Sequence, residues 1–190
     1  MARWEPRGAE RLVAAALELF EERGYDGTTV VDIAERAGLT KSTFFRHFPD
    51  KRAVLFGGDT LSDLLVRSIE EAPAEAGALS AVLYAFERIG GEVFTADRRE
   101  LNIRRAAVIA AAPELQEREA LKQLGLVAAM VTALRRRGVP ELAAAVTADV
   151  AALASKIAYE RWAAPGADAS FSDTLQEALD EVRTTFSSLS

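Results

Sequence analysis

An all-α chain is predicted, with a three-helix domain over residues 1–50 followed by a longer helical region over 51–190. Three observations carry the prediction. Apolar residues recur at helical spacing in one segment after another. Residues 28–51 read as two short helices joined by a tight glycine turn. At 190 residues and 49% hydrophobic content, the chain is long and apolar enough to bury a proper core.

The first helix is expected over about Pro6 to Arg23. Leu12, Val13, Ala16, Leu17 and Phe20 form its apolar stripe, Gly24 closes it, and Tyr25 folds back onto the core. The second helix opens at Thr29, which forms a capping box with Asp32; Val30, Ile33, Ala34 and Ala37 share one face. Gly38 stops this helix, and Leu39 plugs the core beneath the turn. Thr40 is the next N-cap. In the third helix Phe44 and Phe48 lie four apart and point inward, leaving Lys41, Ser42, Thr43, Phe45, Arg46 and His47 on the other faces. Pro49 ends it, Asp50 caps the fourth helix, and Lys51 falls in the first turn. A cation there opposes the helix dipole, which points Lys51 toward something negative outside the protein.

The fourth helix carries Val54, Leu55, Leu61, Leu64, Leu65 and Ile69 and is interrupted by Gly57 and Gly58. A close helix contact, a local break and an interdomain hinge all remain open readings of that pair. Beyond Glu71, four or five more helices follow. One runs from Ala78 to about Gly90. Another runs from Asp97 to Ala112, with Leu101, Val108 and Ile109. A third runs from Pro113 toward Arg137, with Leu121, Leu124, Ala128, Val131 and Leu134. Arg135, Arg136 and Arg137 crowd its end, where cations suit a helix C-terminus. In the last two helices Val146, Val150, Leu153 and Ile157 recur beside a run of alanines, and Phe171, Leu175, Leu179, Val182, Phe186 and Leu189 form a second stripe. Spacing near 3.5 with small neighbours favours bundle packing.

Charge is distributed unevenly. The whole chain has 23 basic and 29 acidic residues, a net of −6. From Arg36 to Arg52 there are five cations (Arg36, Lys41, Arg46, Lys51 and Arg52) against one acid, Asp50. A basic island on a helix-turn-helix in an acidic protein is what phosphate binding requires, and the arrangement can place a helix in the major groove of DNA.

The segment from about Arg11 to Leu55, LVAAALELFEERGYDGTTVVDIAERAGLTKSTFFRHFPDKRAVL from Leu12, resembles the N-terminal domain of the TetR family of transcriptional regulators. It covers about a quarter of the chain without a gap; the remainder is similar only in length and helical pattern. The resemblance implies DNA contact by Thr43 to a phosphate or base edge, by Lys41 and Ser42 to bases, by His47 and Lys51 to phosphates, and by Arg46 to a guanine or a phosphate. Thr29 and Thr40 belong to the same DNA-facing set. Phe45 stands where the family usually has a Tyr, so the hydroxyl is missing while apolar contact with a thymine methyl is retained.

The resemblance also implies that residues 51–190 bind a ligand and dimerise. The expected dimer is a four-helix bundle through Val146, Val150, Leu153, Ile157, Leu175, Leu179, Val182 and Phe186. Its two-fold axis suits a pseudo-palindromic operator of double-stranded DNA with half-sites about 34–36 Å apart. The expected ligand pocket draws on Tyr84, Glu87, Arg88, Asn102, Arg105, Gln123, Met130 and Tyr159.

Other functions have little to stand on. There is no cysteine and one histidine, His47, inside the DNA-facing helix, which argues against a metal site or a nucleophilic triad. Gly57-Gly58 and Gly90-Gly91 lack the spacing of a phosphate-cradling loop. No cofactor is expected, no eighteen-residue apolar run or leader is evident, and a cytoplasmic location follows. The expectation is therefore a non-enzymatic DNA-binding regulator, a repressor released from its operator by an unidentified small molecule. The alternative is an effector-independent architectural or accessory protein of the same fold.

Overall fold

The computed structural model describes residues 8–56, 60–164 and 166–188. Among them the chain forms helices α1 (Gly8–Arg23), α2 (Val30–Arg36), α3 (Lys41–His47), α4 (Ala53–Phe56), α5 (Thr60–Glu70), α6 (Ala78–Val93), α7 (Arg99–Ala111), α8 (Pro113–Arg136), α9 (Glu141–Trp162) and α10 (Phe171–Ser188). A 3-10 turn at Ala96–Arg98 precedes α7, and no strand occurs among the described residues. The expected fourth helix is described in two stretches, α4 and α5, on either side of residues 57–59. Gly57 and Gly58, where a hinge was considered, lie outside the described residues, as does Leu189.

The helices gather into two compact units. One is drawn from residues 1–58 and 103–120, the other from 59–102 and 121–190. The sequence places a boundary at residue 50. Packing carries the first unit through α4 and adds the corner at 103–120, a contribution that no local pattern announces.

In the first unit, α1 buries Leu12, Ala16, Leu17 and Phe20 as expected, together with Ala15 and Leu19. Ile33, Ala34 and Ala37 from α2, Phe44 and Phe48, and Val54, Leu55 and Phe56 from α4 complete one core. Val108, Ile109 and Leu115 belong to the same core. Polar clasps hold the corner in place. Arg104 forks onto Glu21 at 2.8 and 2.7 Å, and its hydrogen bonds hold the Glu21 carboxyl below the usual range. Arg105 donates to the Leu55 carbonyl and to Glu119 at 2.9 Å, and Arg52 approaches Glu114 at 3.3 Å.

The loop from α1 to α2 is closed in three ways. Gly24 takes φ 76, a left-handed value that L side chains rarely adopt. The buried Thr28 hydroxyl donates to the carbonyls of Leu19 and Gly24 at 3.2 and 2.9 Å. Thr29 then caps α2, with both halves of the expected capping box present. Gly38 turns the chain between α2 and α3 at φ 65, and a Cβ there would meet Arg11 Nη2 at 2.8 Å.

The second unit is built around α9, whose inward face is almost entirely alanine. Ala144, Ala148, Ala151, Ala154 and Ala158 are fully buried, with Trp162 at the end. Small residues let neighbouring helices approach closely. On one part of this face Leu65, Ile69, Val82, Ala85, Met130 and Leu134 pack; on the other lie Phe171, Leu175, Ala178 and Leu179 of α10. Arg161 and Glu181 join α9 to α10 at 2.9 and 2.6 Å. By length and a mean hydropathy of 1.4, α9 also passes the test for a membrane span. Asp149 and Lys156 interrupt it and its alanine face is packed, which marks a packing helix.

The expected α8 stripe is corrected. Leu134 is buried and Val131 partly so, but Leu121 and Leu124 are 56% and 66% exposed. The inward face is Leu126, Val127, Met130, Ala133 and Leu134, on the other side of the helix. Leu101 of α7 is likewise exposed. The arginines ending α8 are structural, as expected, but through tertiary bonds. Arg137 donates to the carbonyls of Ile69, Ala72 and Pro73 at 3.2, 2.8 and 2.7 Å, capping α5, and Arg136 pairs with Glu70 at 2.9 Å.

The capping box makes the head pH-sensitive. The Asp32 carboxylate accepts from the Thr29 hydroxyl at 2.6 Å and the Thr29 amide at 2.8 Å, and these bonds hold its carboxyl below the usual range. A lowered folded-state pKa stabilises above the unfolded value and loses that contribution as pH falls through the folded one. We expect Asp32→Asn to melt below the wild type near neutral pH and the gap to close toward about pH 3, in thermal unfolding followed by circular dichroism.

Candidate nucleic-acid interface

Helix α3 owes its place to its two inward phenylalanines. Phe44 is fully buried and Phe48 is 8% exposed, and their rings meet at 5.7 Å. Thr40 caps the helix, accepting from the Thr43 amide at 3.1 Å, and the two hydroxyls lie 3.0 Å apart. At 100° per residue, Lys41, Phe45, Ser42 and Arg46 fall within an arc of about 140° that leaves Phe44 outside it. All four are exposed; Thr43 and His47 flank them and are half-buried. Thr29 is also exposed, at the opening of α2. The structure thus gathers Thr40 and six expected DNA-facing residues on one short helix and its cap.

The basic island is smaller in practice than in the sequence. Arg36 is committed to Glu22 at 3.0 and 2.9 Å and to Glu18 at 3.0 Å. These bonds raise its pKa and hold the Glu22 carboxyl below the usual range. Arg52 pairs with Asp50 and Glu114. Lys41 and Arg46 make no ion pair among the described residues, and Lys41 Nζ stands 6.0 Å from the Phe45 ring centroid.

Lys51 is the main departure. Its ammonium donates to the carbonyls of Tyr25 at 2.7 Å and Thr28 at 3.0 Å and lies 3.9 Å from the Tyr25 ring centroid. The α1–α2 loop brings in an acceptor set that turns the ammonium inward despite the helix dipole. Burial pushes the Tyr25 hydroxyl up to about 12. His47 packs on α1: a Cβ added at Gly8 would meet His47 Nε2 at 2.9 Å.

The eight pocket candidates are not gathered in one place. Arg105 belongs to the first unit, engaged with Leu55 and Glu119. Arg88 pairs with Glu71 at 2.6 Å and reaches the Tyr84 hydroxyl at 3.4 Å, while Glu87 and Gln123 are exposed. Tyr159 donates to the Asn102 carbonyl at 2.9 Å, beside an aromatic group of Phe94, Trp162 and Phe171. Met130 is buried core. A groove of about 600 Å³ in the second unit is lined by Asp63, Val66, Arg67, Glu70, Ala129, Thr132 and Arg136, none of them a candidate.

The expected dimer residues divide. Val146 and Leu153 are 53% and 47% exposed, Val150 and Ile157 are half-buried, and Phe186 is 56% exposed. Leu175, Leu179 and Val182 are corrected: at 2%, 1% and 7% exposure they are already buried within the chain. The sequence showed an apolar stripe on α10 but not that the alanine face of α9 would cover it.

Residues 12–56 match the family of bacterial regulatory proteins of the tetR type. The HTH-type transcriptional regulator TcmR of Streptomyces glaucescens is 38% identical over 88 residues, 46% of this chain and 39% of that protein. The biofilm operon negative regulator IcaR of Staphylococcus aureus is 38% identical over 45 residues, 24% of each chain. The chain therefore spans about two fifths and a quarter of these curated relatives. Among solved structures, SmeT of Stenotrophomonas maltophilia in complex with triclosan superposes with a TM-score of 0.61 at 18% identity, covering 94% of this chain and 90% of that one. A TetR-family regulator from Mesorhizobium loti gives 0.56 at 20% identity, covering 94% of both. These likenesses establish the fold along most of the chain, and over residues 12–56 its helix-turn-helix segment matches the DNA-binding domain of the TetR family of bacterial regulatory proteins.

Proposed function

We propose that the chain is a sequence-specific DNA-binding transcriptional regulator, a cytoplasmic homodimeric repressor that a small molecule releases from its operator. The observation that carries this reading is the outward arc of α3, where Lys41 and Arg46 stand beside Ser42 and Phe45 with no acidic partner among the described residues. Cations kept unpaired on one face attract phosphate and base edges. TcmR and IcaR are regulators by name, which supports regulation over catalysis.

The dimer reading rests on α9. Leu142, Val146 and Leu153 are exposed away from its alanine face, at 77%, 53% and 47%, and Val150 and Ile157 beside them are half-buried against the core shared with α10. An apolar stripe of this kind calls for a partner, and a second copy with two-fold symmetry would place two α3 helices on one duplex. The effector reading leans on family kinship and on SmeT, which holds triclosan.

Selection from a random-sequence duplex pool tests the central claim; a recovered motif with two-fold symmetry is expected, and an unenriched pool would reject it. Two further outcomes follow from the geometry. Arg46→Ala should flatten the dependence of log K on log salt by about 0.9, while Lys51→Met should leave that slope unchanged and lower the melting temperature. Fluorescence anisotropy over a salt series reads the first, and an equal fall for Lys51→Met would return that residue to the phosphate-contacting set. Leu153→Glu should give folded monomers in sedimentation velocity, because the axis would bring like charges together in an apolar seam.

A further inference from the structure

We propose that Phe45 is a base-reading residue that selects the 5-methyl group of thymine in the major groove, an inference that rests on the DNA-binding reading above. Phe45 is 48% exposed, although the core beneath α3 is already filled by Phe44 and Phe48. Its ring stands edge-on to the buried Phe44 ring, 5.6 Å away at 80°. Core packing therefore braces the ring from below and leaves its outer part in water. Lys41 lies on the same stripe four residues before it, with its ammonium 6.0 Å from the ring centroid, and Arg46 follows it. The two cations bring the stripe to the duplex, and the ring lies between them.

The chemistry of the ring limits what it can read. A phenyl group has no donor or acceptor, so it forms no hydrogen bond with a phosphate or a base edge. The groove feature that an apolar group distinguishes is the thymine methyl, which cytosine and the purines lack. Covering one methyl removes apolar surface from water and is worth about fourfold in affinity. Phe45 would thus supply sequence preference at a thymine, with Lys41 and Arg46 available for neighbouring guanines.

The test uses the full chain and a duplex recovered from a random-sequence pool. Each thymine is replaced in turn by uracil, which removes the methyl and leaves every hydrogen-bonding group. The expected result is a loss of about fourfold at one position in each half-site and none elsewhere. Phe45→Ala should bind the thymine duplex more weakly and bind both duplexes equally; its exposure makes a folded variant expected, checked by circular dichroism. Equal wild-type affinity for every uracil duplex would overturn the proposal without a variant. Persistence of the thymine preference in folded Phe45→Ala would overturn it as well. Failure to recover any enriched duplex would instead remove the DNA-binding reading, and this proposal with it.

Discussion

The burial of Phe44 is the constraint on which the interface depends. Helix α3 has seven residues, about half the length at which an isolated helix holds together in water. It cannot persist on its own propensity, and it carries Thr and two phenylalanines, which are weak helix formers. Phe44, with no exposed surface, fixes both the existence of the helix and its rotation. Rotation matters because a turn of 100° would bury Phe45 in place of Phe44 and redirect the whole arc of Lys41, Ser42 and Arg46. Thr40 sets where the helix begins, and Phe48 holds its far end on the same core. The candidate contact residues on α3 are thus placed by the burial of Phe44 and Phe48 and by the Thr40 cap.

Support for that core comes from distant sequence. Lys51 ties the α1–α2 loop from 26 residues away, and Arg104 reaches Glu21 across 83. This separation explains what could be read from the sequence and what could not. Capping boxes, glycine stops and the Phe44–Phe48 spacing are local patterns, and each appears where the residues placed it. The outward arc of α3 was legible for the same reason. The commitments of Arg36, Lys51 and Arg52 were not, because their partners enter from other helices or loops. A run of basic residues looks alike whether its charges face carboxylates, carbonyls or solvent. The same limit applies to α8, where two apolar stripes compete and only packing decides that Leu121 and Leu124 are left outside.

Helix α9 reverses the usual order of an amphipathic helix. Its alanines face inward, while Leu142, Val146 and Leu153 face outward. Alanine buries little area per residue, so this face contributes through close approach more than through surface removed from water. The larger gain is left on the outer face, at Leu142, Val146 and Leu153, where it is realised only against another surface. Hydropathy averaged along the helix cannot separate the two faces, which is why a packing helix resembles a membrane span by composition. Burial resolved by residue separates them.

Association and recognition are linked through the amount of charge on offer. Once Arg36, Arg52 and Lys51 are engaged within the head, α3 presents two cations without an ion pair among the described residues, where the sequence counts five in the island. Each phosphate neutralised adds to affinity through counterion release, so a single head of this kind has little non-specific hold on a duplex. A second head on the same axis makes the next contact intramolecular, at an effective concentration near the millimolar range for a short connection. In the dimer proposed above, the apolar outer face of α9 would supply what α3 lacks, by setting how many α3 helices are presented together. Sparse charge also raises the share of binding that depends on base edges, and discrimination between sites depends on that share rather than on total affinity.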